Sequence, residues 1–167
     1  MKRITIILVL AVTTLLPASA QDVYEMVLNN ATRVVNDPTS NFTQVRLAQF
    51  KKTALTYMRH KAEASDTLVS FQVLDMQAFY LHQFLTSFLR QVIAYSDNEQ
   101  AGLRQGVVRL FIRCSEENPM WNDPDTTITQ AYIGDNEELT PFSLDTNWEK
   151  AFQQSEVLLK QFNSTYP

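Results

Sequence analysis

His60 and His82 are the only side chains of this 167-residue sequence whose ordinary pKa lies near neutrality, so a general acid or base would be sought there first. His60 stands in Arg59-His60-Lys61, where flanking positive charge favours the neutral ring, and its simplest role is that of a solvated helix residue. His82 is seven residues from Asp75, about 10.5 Å along a helix axis, which is too far for a direct hydrogen bond within one helix. A half-buried histidine satisfied beside Thr86 is the simpler reading. An enzyme built here would need Asp75, His82 and Arg90 to face an open cleft together with groups from neighbouring helices. The single cysteine, Cys114, has Arg113 beside it to favour a thiolate, yet it falls in line with Leu103, Val107 and Leu110 and reads as a small buried hydrophobe. If exposed in an oxidising compartment, it would instead point to an intermolecular disulfide. No G-x-S-x-G elbow, phosphate-cradling glycine loop or soft-ligand zinc spacing occurs. The expectation is therefore no catalytic residue, no metal and no cofactor.

Charge is distributed more informatively. Nine acids and no Lys or Arg fall between Ser115 and Glu149, whereas Arg46, Lys51, Lys52, Arg59 and Lys61 form a stretch without acids. One account is internal, with the acidic segment packing over the basic helix and closing the bundle. Calcium is the sharper alternative, because oxygen-rich loops suit hard cations. However, Asn122-Asp123-Pro124-Asp125 lacks the EF-hand spacing, with Ile128 where the turn glycine belongs and Gly134 where the bidentate glutamate belongs. The same segment carries aromatic residues among turn residues, and these serve either as anchors for a partner or as plugs that pin the loop. The expected contact set is Trp121, Tyr132, Phe142, Asp123 and Asp125, facing an unknown protein or envelope ligand.

The elements that must position these groups begin after a leader. Lys2 and Arg3, the apolar run Ile4–Leu16 and Ala18-Ser19-Ala20 have the order of a secretory signal peptide, cleaved after Ala20. The apolar run is shorter than the roughly 20 residues of a spanning helix. The expected product is an exported protein, periplasmic or extracellular, with one helical domain over 21–167 and no transmembrane segment. It would carry 12 basic and 18 acidic side chains, a balance that does not seek nucleic acid.

No proline falls between Thr39 and Asn118, and helices are the natural reading. The spacing predicts helices over Val23–Asn36, over Phe42–Ala62 from a cap at Asp37 or Asn41, and over Thr67–Tyr95 from Ser65-Asp66. A fourth helix is expected over Asp97–Glu117 from a Ser96/Glu99 capping box, and a last one to Phe162 from a Thr146/Glu149 box. In Leu68–Tyr95, 18 of 28 residues are apolar, which marks a central helix packed on several sides. Its polar residues Gln72, Asp75, His82, Gln83, Thr86 and Arg90 project into one sector. Between the last two helices, Met120–Asp145 reads as a long irregular segment. The expected fold is all-α: an antiparallel bundle of four to five helices.

The stretch Asn118-Pro119-Met120-Trp121-Asn122-Asp123-Pro124-Asp125, followed by Pro141-Phe142-Ser143-Leu144-Asp145-Thr146-Asn147-Trp148, resembles small uncharacterised exported helical proteins of Bacteroidota over about the last fifty residues. The resemblance implies export and no particular activity. It also implies O-glycan acceptors at Asp66-Thr67-Leu68 and Asp125-Thr126-Thr127; in a eukaryotic source, Asn30, Asn41 and Asn163 would be N-glycan sequons. The leading expectation is a non-catalytic binding module that uses the acidic, aromatic-bearing segment as its contact surface; a separate reading is a structural subunit, for which Gly102, Gly106 and Cys114 should lie at a chain–chain contact.

Overall fold

Helices form in the computed structural model where an apolar stripe of helical period follows a residue able to cap it. The structure describes residues 22–65, 69–123, 128–133 and 138–166, with side chains described except at 98, 128–133 and 138–141. The expected leader, Met1–Ala20, lies outside the described residues. α1 (Val23–Asn36) starts from Asp22, whose carboxylate accepts from the Glu25 N–H, and ends just ahead of Pro38. α2 (Phe42–Ala64) starts from a reciprocal box in which the Asn41 and Gln44 side chains each accept from the other's backbone N–H. Asp37, the other candidate cap, closes its own turn by accepting from Thr39.

Three helix starts differ from the sequence reading. α3 (Phe71–Ala94) begins at Ser70, whose hydroxyl accepts from Val73 N–H, rather than at Ser65-Asp66. α4 (Ala101–Glu116) is preceded by a 3-10 turn at Asn98–Gln100, in which Asp97 O accepts from Gln100 N–H, and the Ser96/Glu99 box gives no cap to the α-helix. α5 (Trp148–Thr165) is capped by Asn147, which accepts from Lys150 N–H. Thr146 instead turns inward and donates to Ser143 O at 2.7 Å.

α3 is the central helix, touching α1 and α2 on one side and α4 and α5 on the other. Its Phe84 and Phe88 pack with Phe50 of α2, Phe111 of α4 and Trp148 of α5 as a fully buried aromatic core. Phe84 meets Phe111 at 5.1 Å and Trp148 at 5.5 Å, edge to face, each such pair worth about 0.5–1.5 kcal/mol beyond its area. α1 is tied on by Tyr24, whose hydroxyl donates to Leu55 O at 2.8 Å, and by Arg59, which lies over the Tyr24 ring and pairs with Glu25.

Among the described residues the fold is thus an all-α bundle of five helices. The segment expected to be irregular contributes one regular piece, an antiparallel hairpin of β1 (Ile128–Ile133) and β2 (Glu138–Ser143) with Ile128 opposite Ser143 and Ile133 opposite Glu138. Ile128, Thr129, Tyr132 and Ile133 are strand formers, and Gly134-Asp135-Asn136 has turn composition. β1 runs against α2 and β2 against α4. No described helix is long and apolar enough to cross a membrane.

Candidate functional site

Of the five residues expected to meet a partner, the three whose side chains are described, Trp121, Asp123 and Phe142, make contacts within the chain. Phe142 is fully buried, with ring centroids of Phe88, Phe50 and Phe84 at 5.1, 5.5 and 5.6 Å, so its expected role as a contact residue is corrected to that of a core plug. Trp121 is half-buried, edge-on to Tyr57 at 5.9 Å. Asp123 forms an ion pair with Lys61 and accepts from the Tyr57 hydroxyl at 3.3 Å. Tyr132 is paired opposite Leu139, with its side chain among those not described, and Asp125 lies outside the described residues.

The reason for this inward turn is Asp145, a residue absent from the expected set. It is 1% exposed, and its Oδ1 accepts from the N–H groups of Met120 and Trp121 while its Oδ2 accepts from that of Asp123, at 2.8–2.9 Å. Asn122, at φ 53°, supplies the left-handed bend between them, a conformation Asn tolerates better than most residues. Burial, and then the charges of Asp145 and Asp123, push the Tyr57 hydroxyl well above its ordinary pKa. The internal account of the charge pattern therefore describes this junction, where Lys61 of the basic helix meets Asp123 of the acidic segment.

The polar sector of α3 is divided among three tasks. Asp75 accepts from the Tyr24 N–H at 2.9 Å and so holds the start of α1; burial raises its carboxyl. Arg90 is exposed, as is His60. The His82 ring meets Lys51 of α2, with 3.1 Å from Nζ to Nδ1, and Thr86 donates to the His82 carbonyl rather than to the ring. Burial lowers the Lys51 ammonium; burial and then the Lys51 charge lower the imidazolium of His82. Both shifts disfavour charging the two groups together. For the ammonium to donate to Nδ1, the ring must carry its proton on Nε2.

This pair stands at one end of an open groove of about 330 Å³ between α1, α2 and α3, next to a smaller hollow of about 130 Å³ that shares Asn30, Lys51 and His82. Away from the pair, α1 runs forward to Val34, α2 back to Leu47 and α3 forward to Leu85 and Leu89, so the other end is apolar. His82 to Leu89 spans about 10 Å at 1.5 Å per residue. Gln44 lines the apolar end, but its amide oxygen is engaged in the α2 cap. Lys51 was not among the expected site residues. Its signal was present, since it follows Leu47 and Ala48 by four and three residues and shares their inward face.

A second depression, of about 460 Å³, lies between α4 and α5. Gly106 makes room there for Phe162, because a Cβ at Gly106 would come within 2.9 Å of that ring; nothing lies within 4 Å at Gly102. The approach that Gly106 permits is thus of a ring in the same chain. Cys114 is fully buried, and burial pushes its thiol to about 11. It offers no surface thiol for a disulfide between chains. No protein-family model matches this chain, and neither does any curated protein or solved structure.

Proposed function

We propose that the protein is an exported, non-catalytic binding module that takes a small, largely apolar ligand in the groove between α1, α2 and α3. The observation that carries this reading is the groove itself, at the small end of the roughly 300–1,000 Å³ range of ligand sites, apolar along most of its length and polar at one end. The acidic, aromatic-bearing segment serves the fold at Phe142, Trp121 and Asp123, which leaves the groove as the better-formed contact surface. Export rests on the order of charge, apolar run and A-x-A in Met1–Ala20, and the resemblance to exported Bacteroidota proteins points the same way.

The test is binding of a neutral apolar fluorophore, Nile red, to the purified chain and to Thr86→Trp. Thr86 is an exposed residue on the groove wall, so the indole fills the groove without entering the core. Saturable fluorescence enhancement in the wild type, lost in the variant at unchanged thermal stability, is expected. Equal enhancement in both would refute the groove as the site. For export, the expected outcome is a secreted-fraction protein whose N-terminus is Gln21; recovery of intact Met1 from that fraction would refute cleavage.

A further inference from the structure

We infer that the ligand of the groove is an amphipathic anion, a free acyl carboxylate whose head group sits at Lys51 and His82 and whose chain lies along Val34, Leu47, Leu85 and Leu89. This rests on the groove being the binding site and adds the chemical class of what it binds. Two observations converge. The two ends of the groove differ in polarity along one axis, which matches a ligand with one polar end. Among the described residues, no carboxylate pairs with Lys51, whose single polar contact is with His82. A partly buried lysine ammonium whose one polar partner is a ring nitrogen of the exposed His82 keeps donors to spare, and an arriving carboxylate supplies the missing counter-charge.

The pair also fits a carboxylate by its donors. Lys51 Nζ and the His82 ring lie on adjacent helices and offer donors to one head group, and Asn30 brings a side-chain amide from α1. A neutral alcohol would meet the same donors without satisfying the charge. A cation would be repelled by Lys51. A phosphorylated head group would need more than one unpaired cation to be held well. The α4–α5 depression lacks this polarity: Arg109 and Arg113 both stand exposed at its edge, and Arg113 is already paired with Glu117 at 3.6 Å.

The experiment compares decanoate with decanol, two chains of equal length that differ in charge, by calorimetry and by displacement of Nile red from the purified full chain. Wild type should bind decanoate at least about tenfold more tightly than decanol, as expected for a charge-assisted contact of ordinary strength. Lys51→Met should remove that preference while still taking Nile red, and Lys51→Arg should restore much of it. Lys51→Gln serves if the methionine variant loses its thermal transition. Equal affinity for the two probes, or an undiminished decanoate preference in Lys51→Met and Lys51→Gln, would overturn the anion inference while leaving the groove reading intact. Failure of decanoate, decanol and Nile red alike would overturn both.

Discussion

Replacing Phe142 by alanine separates a core plug from a partner anchor. Phe142 is fully buried and touches three aromatic rings within 5.6 Å, drawn from α2 and α3. Truncation removes six heavy atoms from a site walled by rigid rings that cannot collapse far. The expected loss is about 3–5 kcal/mol, which already includes the three ring pairs. With a urea slope of about 2 kcal/mol per molar, the unfolding midpoint falls by about 1.5–2.5 M. The melting temperature drops by roughly 10 °C. Phe142→Leu keeps most of the volume and should lose only about 1–2 kcal/mol. Trp121→Ala, at a half-buried ring, should fall between these variants. Urea denaturation followed by tryptophan fluorescence and by circular dichroism gives all three values. A Phe142→Ala loss under about 1 kcal/mol with an unchanged slope would refute the placement of this ring in the core.

The two helical glycines should respond in opposite directions: Gly102→Ala, with open space around it, stabilises by about 0.5–1 kcal/mol, whereas Gly106→Ala displaces Phe162 and destabilises, both read as melting shifts. Cys114 should resist a thiol reagent in the native chain and react stoichiometrically in denaturant; labelling at equal rates in both would contradict its burial. Because its native thiol is raised to about 11 from an ordinary value near 9, the unfolded chain releases the proton first, so its contribution is complete below pH 9 and fades as pH rises toward 11. Cys114→Ala should flatten that part of the alkaline stability curve. His82 has the other sign: its folded pKa lies below the ordinary value of about 6.5, so the unfolded chain takes up the proton first and stability declines as pH falls below that value. His82→Gln should reduce that decline between pH 8 and pH 5.5, and an identical pH profile would show that the ring is not perturbed.

The helices were legible because their signals are local. Asp22, Asn41 and Pro38 mark boundaries within a few residues of themselves, and the apolar density of Phe71–Ala94 announces a helix surrounded by others. Thr146 and Asn147 show where local reading stops. Both are good caps one residue apart, and the choice is made by Ser115 and Ser143, which draw the threonine hydroxyl inward from distant parts of the chain. The hairpin was hidden because Gln130, Glu138 and Pro141 interrupt its strand formers, and such residues also suit loops. Asp145 looked like one acid among nine, although it is the buried hub for three backbone donors. The Lys51–His82 pair was half legible: His82 stood out by residue type, but its partner is 31 positions away on another helix, and no periodicity within either helix reports that distance.

Gln77 has a consequence for how the chain is completed. It is 1% exposed in the middle of α3, its Oε1 accepts from the Trp148 N–H at 2.7 Å, and its Nε2 donates to Asn147 at 3.3 Å. Both partners lie some seventy residues downstream. Until α5 arrives, α3 therefore carries an amide facing its apolar neighbours with no protein partner, a group whose burial unsatisfied costs about 1–3 kcal/mol. A chain stopped ahead of Asn147 lacks both of these partners, so the amide of the central helix is satisfied from within the chain only by the element that comes last in it.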